Sequence, residues 1–383
     1  MKNKPISTIL SVILLFGMIF IGFPVKTNAA KDEINVKYHT QQEIIDYINA
    51  TGGFSNTVIT YEKDPVFTAP YNAGKLSQNV LDRALVTMNQ IRYIAGIEPV
   101  KIDSSYNEQC QIGCLVNAVN RTMTHYPEKP SDMSQDLFNK NACGKSNLGS
   151  GYRTLESAII DGWMEDGDSS NIDRVGHRRW VLNPSMGKVG FGYVNGHSAM
   201  YAFDNSNSST IYHGVAWPAA NTPCEIFSKY YPWSVSVNAN DSTIVKLTRT
   251  NDGKVWKFYY GCKDGYFNID RGGYGERSCI IFRPLDIEYN PGDRYNVEIT
   301  GTASPITYSV NFFSYKKIIN YGDVNADGQI NSTDALLTLQ HSIGQIILTD
   351  DKFTCGDVTK DNQINSLDAL EILQYSIGQI SNF

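Results

Sequence analysis

Several features that mark common protein classes are scarce in this sequence. Its 383 residues carry a formal net charge of −6 and contain no basic tract, which argues against nucleic acid as a partner. After residue 23 no apolar run approaches the roughly 18 residues needed to span a bilayer, so we expect no membrane span. Neither an HExxH nor a GxSxG motif is present, which removes the usual signs of a zinc peptidase or a serine hydrolase.

Cysteine is also scarce, and its number is odd. Seven cysteines stand at positions 110, 114, 143, 224, 262, 279 and 355, so disulfide pairing outside the cell leaves at least one thiol over. Cys262 and Cys279 flank a predicted β-hairpin and are the preferred pair. Cys143 has two candidate partners, Cys110 and Cys114, which lie one helical turn apart.

The one long apolar run occupies the start of the sequence. Lys2 and Lys4 precede apolar residues 6–23, and small residues follow at Ala29 and Ala30. This order of basic, apolar and small residues predicts a secretory signal peptide over 1–29. We therefore expect an exported, extracellular protein.

The remaining length predicts two or three domains. Residues 30–74 form an N-terminal extension with a short helix capped by Thr40. Residues 75–220 carry four helical patterns, at about 77–96, 105–123, 155–164 and 174–182, and then β runs at 188–194, 198–204 and 212–217. Asn195-Gly196 between the first two runs is typical of a hairpin turn. Helices followed by a small antiparallel sheet predict an α+β layered domain.

Residues 228–316 change to a period of two. Short β-branched or aromatic runs separated by turn residues predict an all-β sandwich of immunoglobulin or fibronectin type. Trp256, Tyr259, Tyr260 and Tyr266 have two interpretations, a surface that stacks on sugar rings or half-buried strand residues. The region is either a spacer or a domain that packs against the preceding one.

Residues 320–383 contain one segment written twice. DVNADGQINSTDALLTLQHSIGQI at 323–346 returns as DVTKDNQINSLDALEILQYSIGQI at 357–380. Similarity at a fixed offset marks a duplicated structural unit. In each copy a polar loop precedes an amphipathic helix, predicted at 335–342 and 369–376, and no helix is expected before either loop.

Each loop has the ligand spacing of an EF-hand. Calcium takes roughly 6–8 oxygen ligands, supplied by loop positions 1, 3, 5, 7, 9 and 12. In the first loop these are Asp323, Asn325, Asp327, the Gln329 carbonyl, Asn331 and Asp334; in the second they are Asp357, Thr359, Asp361, the Gln363 carbonyl, Asn365 and Asp368. We expect two Ca²⁺ ions, with the second site weaker because Thr359 replaces an amide and Asn362 replaces Gly328.

This duplicated loop–helix arrangement, with Asp at position 12, resembles a type I dockerin, the small all-α, EF-hand-like module that attaches cellulosomal proteins to scaffoldin cohesins. The resemblance covers about 320–383. It implies a cohesin partner and a place in an extracellular polysaccharide-degrading complex. It also implies that loop positions 10 and 11 choose the cohesin: Ser332, Thr333, Ser366 and Leu367.

The 75–220 region also resembles a known family. NQIRYIAGIEPVKID, a helix ending in MTHYP, a Trp-bearing helix and VGHRRWVLNP are similar to the CAP (SCP) superfamily of cysteine-rich secretory proteins. That family has an α–β–α sandwich and a cleft with two histidines and usually two acids. The resemblance implies that His125, His177 and Asp166, with Glu165 beside it, lie in such a cleft. Ser146 stands where the family's second acid is a glutamate.

Such a cleft supports two kinds of function. Two imidazoles and a carboxylate suit Zn²⁺, or His paired with Asp can act as a general base, so a metal-assisted hydrolase acting on peptides or glycans is one hypothesis. The other is a non-catalytic module that binds a protein, lipid or glycan, and the missing glutamate favours it slightly. No residue in the sequence identifies itself as a nucleophile.

Overall fold

The computed structural model describes residues 34–207, 213–316 and 319–383. The predicted signal peptide, residues 1–29, lies outside the described residues. The chain divides into two compact units. The first runs to residue 222 and includes Ile226–Tyr289 and Asp293–Asn311, while the second comprises 223–225, 290–292 and Phe312–Phe383. The predicted β domain at 228–316 therefore falls largely in the same unit as the α+β region, and does not form a unit of its own.

Several helices begin at a capping side chain. The described helices are α1 (Gln41–Ala50), α2 (Gln78–Ile94), α3 (Ser104–Asn120), α4 (Gln135–Asn139), α5 (Leu155–Ser157), α6 (Gly176–Val181), α7 (Ser332–Ser342), α8 (Asp350–Gly356) and α9 (Ser366–Ser376). Thr40 and Glu43 form the capping box of α1, and Asp103 caps α3 through two backbone amides. No helix among the described residues is long and apolar enough to cross a membrane.

The strands are mostly short. They are β1 (Tyr61–Lys63), β2 (Lys75–Leu76), β3 (Lys101–Ile102), β4 (Ser146–Ser150), β5 (Lys188–Val189), β6 (Phe191–Val194), β7 (His197–Tyr201), β8 (Ala216–Trp217), β9 (Asn221–Pro223), β10 (Trp233–Val235), β11 (Ile244–Arg249), β12 (Val255–Phe258), β13 (Gly265–Tyr274), β14 (Glu276–Pro284), β15 (Arg294–Thr300) and β16 (Ile306–Phe313).

The predicted α+β region is mixed α/β, with α3 packed on an antiparallel sheet of order β4-β7-β6. Asn195 and Gly196 both have positive φ, 46° and 81°, as the two-residue turn between β6 and β7 requires. Gly192 lets α3 approach the sheet, because a Cβ there would stand 2.4 Å from the Cys110 carbonyl carbon.

Three local predictions for this region need correction. The strand predicted at 212–217 does not join the β6–β7 sheet, because β8 pairs with β10 instead. The third strand of that sheet is β4, at Ser146–Ser150, which the sequence analysis did not predict. The helix predicted at 155–164 is α-helical only to Ser157 and continues as a π-helix, Ala158–Met164.

The β region contains two sheets, of order β13-β14-β10-β8 and β12-β11-β15-β16-β9. Strands β13 and β14 form a long hairpin whose turn lies at Gly275, with φ of 81°, at the position of the hairpin predicted between Cys262 and Cys279, although Cys279 lies inside β14. The immunoglobulin-like topology remains a prediction. Trp256 is buried and Tyr266 packs against Val175, Cys279 and Ile281, so both follow the half-buried interpretation.

The expected disulfides are absent from the described structure. Cys262 and Cys279 are free thiols. They lie at different levels of the β13–β14 hairpin, because Cys262 precedes Gly265, the partner of Pro284, whereas Cys279 pairs with Asp270. Cys143 is also a free thiol, as are Cys110 and Cys114. The Cys143 Sγ instead donates to the Gly113 carbonyl at 3.4 Å.

The second unit contains α7, α8 and α9 around a small apolar core that includes Val324, Leu348, Val358 and Ile372. Helices α7 and α9 each begin three residues earlier than predicted, because position 9 of each loop is the N-cap residue. Helix α8 directly precedes the second loop. The expectation that neither loop follows a helix is therefore wrong for the second.

Candidate functional site

The predicted histidines lie in one cleft of about 360 Å³ in the first unit. This volume falls within the range of roughly 300–1,000 Å³ common to small-ligand pockets. The cleft is lined by His125, Tyr126, Gly144, Ser146, Asn147, Asn171, Arg174, Gly176, His177, Trp180, Phe203 and Tyr274. The structure thus brings His125 and His177 together, as the resemblance implied.

His177 is oriented by an acid beneath it. Its Nδ1 lies 2.9 Å from Asp166 Oδ1, and the other oxygen of Asp166 accepts the Arg178 backbone N–H at 3.2 Å. The His177 carbonyl accepts from the Asn147 side-chain amide at 2.8 Å. With Nδ1 committed to the carboxylate, Nε2 is the ring nitrogen left for a ligand.

His125 is oriented by backbone. Its Nδ1 lies 2.9 Å from the Cys143 carbonyl oxygen, which can only accept, so Nδ1 carries the proton and the Nε2 of the neutral ring is an acceptor. Both histidines therefore use Nδ1 for a hydrogen bond within the protein, to a carboxylate at His177 and to a backbone carbonyl at His125, and both leave Nε2 for a ligand.

Asp166 does not line the cleft and is not placed as a third metal ligand. It is buried, and its carboxylate is engaged by His177 and the Arg178 amide. Zinc chemistry in proteins uses three protein ligands and an open position, whereas the cleft supplies two imidazoles. Among the residues described here, no group of three or more His, Cys, Asp or Glu side chains is placed to hold a metal ion. The donor set does not fit a catalytic Zn²⁺ site.

Ser146 fills the position of the missing glutamate without taking over its charge. Its Oγ donates to the Ala142 carbonyl at 2.8 Å and lies 3.6 Å from the Cys110 Sγ. Glu165, beside Asp166, is not among the lining residues, and burial raises the pKa of its carboxyl. The side chains that line this cleft therefore bring no carboxylate to it.

Sequence analysis missed Tyr274, which reaches the cleft from the tip of the β13–β14 hairpin. Its only signal is a glycine-rich, aromatic stretch, RGGYGE, at 271–276. Such a stretch indicates a tight turn but does not say which surface the turn meets.

Two arginines of α6 join the cleft region to the β region. Arg178 is buried and donates to the carbonyls of Met164, Glu165 and Pro232, and burial lowers the pKa of its guanidinium to about 10. Arg179 forms an ion pair with Asp270 at 2.5 Å. Both arginines therefore make structural contacts between α6 and the β region.

In the second unit, the aspartates of the first loop are held by hydrogen bonds from the backbone amides of the same loop. Asp334 is fully buried and accepts the backbone N–H groups of Val324, Asn325 and Asn331 at 2.9, 3.1 and 3.0 Å. Asp323 accepts those of Asp327 and Gly328. Asp334 Oδ2 and Asp323 Oδ1 each accept one of these hydrogen bonds and retain a lone pair.

The second loop repeats this pattern. Asp368 is buried and accepts from Thr359 and Asn365, while Asn362 takes the left-handed conformation, with φ of 64°. The Thr359 hydroxyl lies 2.9 Å from Asp368 Oδ1 and 3.5 Å from Asp357 Oδ1. Positions 1, 3 and 12 therefore meet.

The donor chemistry of both loops fits calcium. Carboxylate, amide, hydroxyl and carbonyl oxygens are its preferred ligands. In the described chain, none of the six loop aspartates forms an ion pair with a basic side chain. A divalent cation would neutralise them.

Helices α7 and α9 together form an exposed apolar groove. It is lined by Ser332, Ala335, Leu336, Leu339, Ser366, Ala369, Leu370 and Leu373. Every lining residue of α7 has a counterpart of the same type 34 positions later in α9. Leu336 and Leu370 leave 53% and 48% of their surface exposed. A contiguous exposed apolar surface of this kind often marks a binding site for another protein.

Two of the predicted partner-binding residues, Ser332 and Ser366, line this groove. Thr333 and Leu367 are exposed beside it at the starts of the same helices. All four stand in the first turn after the calcium-loop N-cap residues, Asn331 and Asn365.

Comparison with known proteins agrees with both resemblances. The model of the cysteine-rich secretory protein family (CAP) matches residues 85–211, and that of the dockerin type I domain matches residues 321–377. The chain carries a CAP domain and a type I dockerin domain. The two histidines of the cleft lie within the matched CAP range, whereas Tyr274, which also lines the cleft, lies outside it. The apolar groove lies in the dockerin domain.

The dockerin region also resembles a solved structure. The structure of the third cohesin ScaC in complex with the ScaB dockerin from Acetivibrio cellulolyticus is 32% identical, and the match covers 18% of this chain and 93% of that chain with a TM-score of 0.17. No curated protein matches the chain.

Proposed function

We propose that this chain is a secreted component of a cellulosome, attached to a scaffoldin cohesin by its dockerin and displaying the CAP cleft as cargo. The complex would act outside the cell on polysaccharide. The dockerin match at residues 321–377 supports this proposal.

The observation that carries the docking proposal is the apolar groove between α7 and α9. Its leucines are exposed in pairs related by the 34-residue repeat, and Ser332 and Ser366 stand at one end of it. Covering several leucines on a helix pair is the ordinary way in which a helix face binds a partner. A cohesin is the partner that the dockerin family implies.

We further propose that docking depends on calcium. When bound, Ca²⁺ supplies the positive charge that holds the aspartates of each loop together. The chain's own residues then fix the helices: Asn331 and Asp334 form the capping box of α7, and Asn365 and Asp368 form that of α9. Because the same aspartates serve the ion and the helix start, loss of calcium should loosen the groove.

For the cargo we propose a ligand-binding cleft. The lining has no carboxylate and no side-chain nucleophile next to a base, since Ser146 donates to a carbonyl, and these are the parts that a hydrolase would need. The rival function, a metal-assisted or general-base hydrolase, is favoured by one observation, the 2.9 Å contact between His177 and Asp166.

Two experiments test these assignments. Capture of the full chain on an immobilised cohesin, with and without EGTA, tests docking; equal recovery rejects calcium dependence. A panel of peptide and glycan substrates, with and without added Zn²⁺, tests the cargo by comparing the wild type with His177→Ala and His125→Ala. Turnover that disappears in the His177 variant would replace the binding role with a catalytic one.

A further inference from the structure

The histidine cleft is completed by a residue that does not belong to the matched CAP range. Tyr274 lies at the end of β13, in the β region, and lines the cleft together with the CAP residues. Its position is determined by several independent contacts between the hairpin and helix α6.

Arg179 holds the hairpin tip in place. Its guanidinium forms the ion pair with Asp270 and donates to the carbonyls of Gly272 and Glu276 at 2.8 and 2.7 Å. The same guanidinium lies 5.0 Å from the centroid of the Tyr274 ring, in a cation–π contact. One arginine thus fixes both strands of the hairpin and the aromatic ring between them.

Gly176 makes room for that ring. A Cβ at this position would stand 3.0 Å from Cδ1 and 3.1 Å from Cε1 of Tyr274, closer than side chains normally pack. Gly176 directly precedes His177. The Tyr274 ring is therefore packed onto the turn of α6 that carries the cleft histidine.

Tyr274 extends an aromatic wall. The Trp180 ring lies 4.8 Å from Phe203 in a tilted contact and 6.5 Å from Tyr274 in an edge contact. Phe203 leaves 37% of its surface exposed, and it lines the cleft together with Trp180 and Tyr274. We define Trp180, Phe203 and Tyr274 as the aromatic wall.

The polar groups of the cleft carry no unpaired charge. Arg174 is the basic residue among the lining side chains, and it contacts Asp173 at 3.3 Å and the Asn171 side-chain oxygen at 3.3 Å. The remaining polar groups are amides, a hydroxyl and the two imidazoles. The guanidinium of Arg174 is already paired with Asp173, and a neutral ligand with many hydroxyls would find both donors and acceptors in the rest of the lining.

We propose that the aromatic wall binds an uncharged sugar ring of a polysaccharide chain, and that Tyr274 of the β region is a specificity-determining residue of the cleft. Aromatic faces beside neutral hydrogen-bonding groups match the alternating apolar faces and hydroxyl edges of such a ring. This inference rests on the proposed role of the cleft as a ligand site, and it makes the β region part of that site.

The test is isothermal titration of the full chain, in calcium, with cellohexaose and with xylohexaose. We expect the wild type to bind at least one of them and Tyr274→Ala to weaken that binding about tenfold or more, as truncation of a central aromatic contact does. Tyr274→Phe, which keeps the ring, should stay within about twofold. Tyr259→Ala is the matched control, because it removes another exposed tyrosine of the same region that does not line the cleft.

If Tyr274→Ala does not fold, Tyr274→Leu takes its place, because leucine fills the space over Gly176 but offers no aromatic face. Phe203→Ala, from the opposite end of the wall, should weaken binding in the same direction. The proposal is overturned if the wild type binds neither hexasaccharide, or if the Tyr274 variant binds as tightly as the wild type.

Capture by a cohesin, measured on the same preparations, separates this inference from the docking proposal. Normal capture together with absent sugar binding would refute the sugar site alone. Sugar binding that requires Tyr274, in a protein that no cohesin captures, would support the sugar site and refute docking.

Discussion

His177 Nδ1 and Asp166 Oδ1 are 2.9 Å apart, and the aspartate is buried and does not line the cleft. This carboxylate orients the imidazole and occupies no ligand position. Asp166 was predicted from the family resemblance as a residue of the cleft. Because it contacts His177 from a buried position, it takes part in the site although no carboxylate is among the described residues that line the cleft.

Substituting Asp166 tests how far the cleft depends on this relationship. Asp166→Ala removes the acceptor of His177 Nδ1 and of the Arg178 amide, and it removes the stronger of the two carboxylate charges, Asp166 and Glu165, that stabilise the buried Arg178 guanidinium. We expect a loss of about 2–4 kcal/mol in the free energy of unfolding, measured by chemical denaturation. Asp173→Ala, at an exposed aspartate, should change it by less than about 0.5 kcal/mol. An equal effect of the two would contradict the assigned role.

The apolar groove of the dockerin can be tested without damage to its core. Leu336→Asp with Leu370→Asp places charge on two exposed positions, so the domain should stay folded while cohesin affinity falls by more than about tenfold. Ile347→Asp is the matched control: Ile347 is 82% exposed and does not line the groove. Surface plasmon resonance on immobilised cohesin measures both. If the control weakens binding as much as the double variant, the groove is not the docking surface.

The two calcium loops should be separable by titration calorimetry. We expect the wild type to bind two ions, Asp323→Ala and Asp357→Ala to bind one each, and the double variant none. The ion that remains in Asp323→Ala should be the weaker one, because the second loop has Thr359 and Asn362 where the first has an amide and a glycine. A tighter site in the second loop would reverse this assignment.

The free energy of unfolding should decrease as the pH rises, because the buried Glu276 carboxyl is protonated in the folded state. Burial raises the pKa of this carboxyl to about 8, against the hydrogen bond from Ser236 and the charge of Arg179, which lower it. Its ordinary value is 4.5, so between about pH 4.5 and 8 the folded state holds a proton that the unfolded state has lost. The stabilisation is complete below this window and is lost as the pH rises through it.

Glu276→Gln removes this titration and should flatten the unfolding free energy between pH 5 and 9, with a gain of a few kcal/mol relative to the wild type at the upper end. Chemical denaturation at several pH values measures it. Parallel curves for the two proteins would contradict the assignment of a protonated, buried Glu276.

What the sequence predicted correctly is mostly local. The repeat at an offset of 34 residues and the oxygen spacing of the loops are complete within short segments, so the loop–helix units of the dockerin could be identified, and its family match confirms them. The α1 helix was predicted from Thr40 as its cap, and the structure adds a capping box with Glu43. His125 and His177 were brought together by a family resemblance, since nothing local says that residues 52 positions apart in the sequence share a cleft.

What the sequence did not predict depends on distant contacts. Arg179 donates a hydrogen bond to the Glu276 carbonyl, 97 residues away in the sequence, and no sequence pattern near either residue predicts this contact. Strand β8 joins the sheet of β10 because of pairing geometry, although its own residues suit either sheet. Helix α8 lacks the length and periodicity that identify a helix. Tyr274 was missed for the same reason, since its role arises only where the hairpin meets α6.

The central claim is that six aspartates in two calcium loops hold the dockerin in the form that a cohesin binds. Capture of the purified full chain on an immobilised cohesin, repeated after EGTA and again after calcium is restored, measures this most directly. The account predicts capture in calcium, loss of capture in EGTA, recovery on restoring calcium, and no capture at any stage for Asp323→Ala with Asp357→Ala. Undiminished capture in EGTA, or by the double variant, would contradict it.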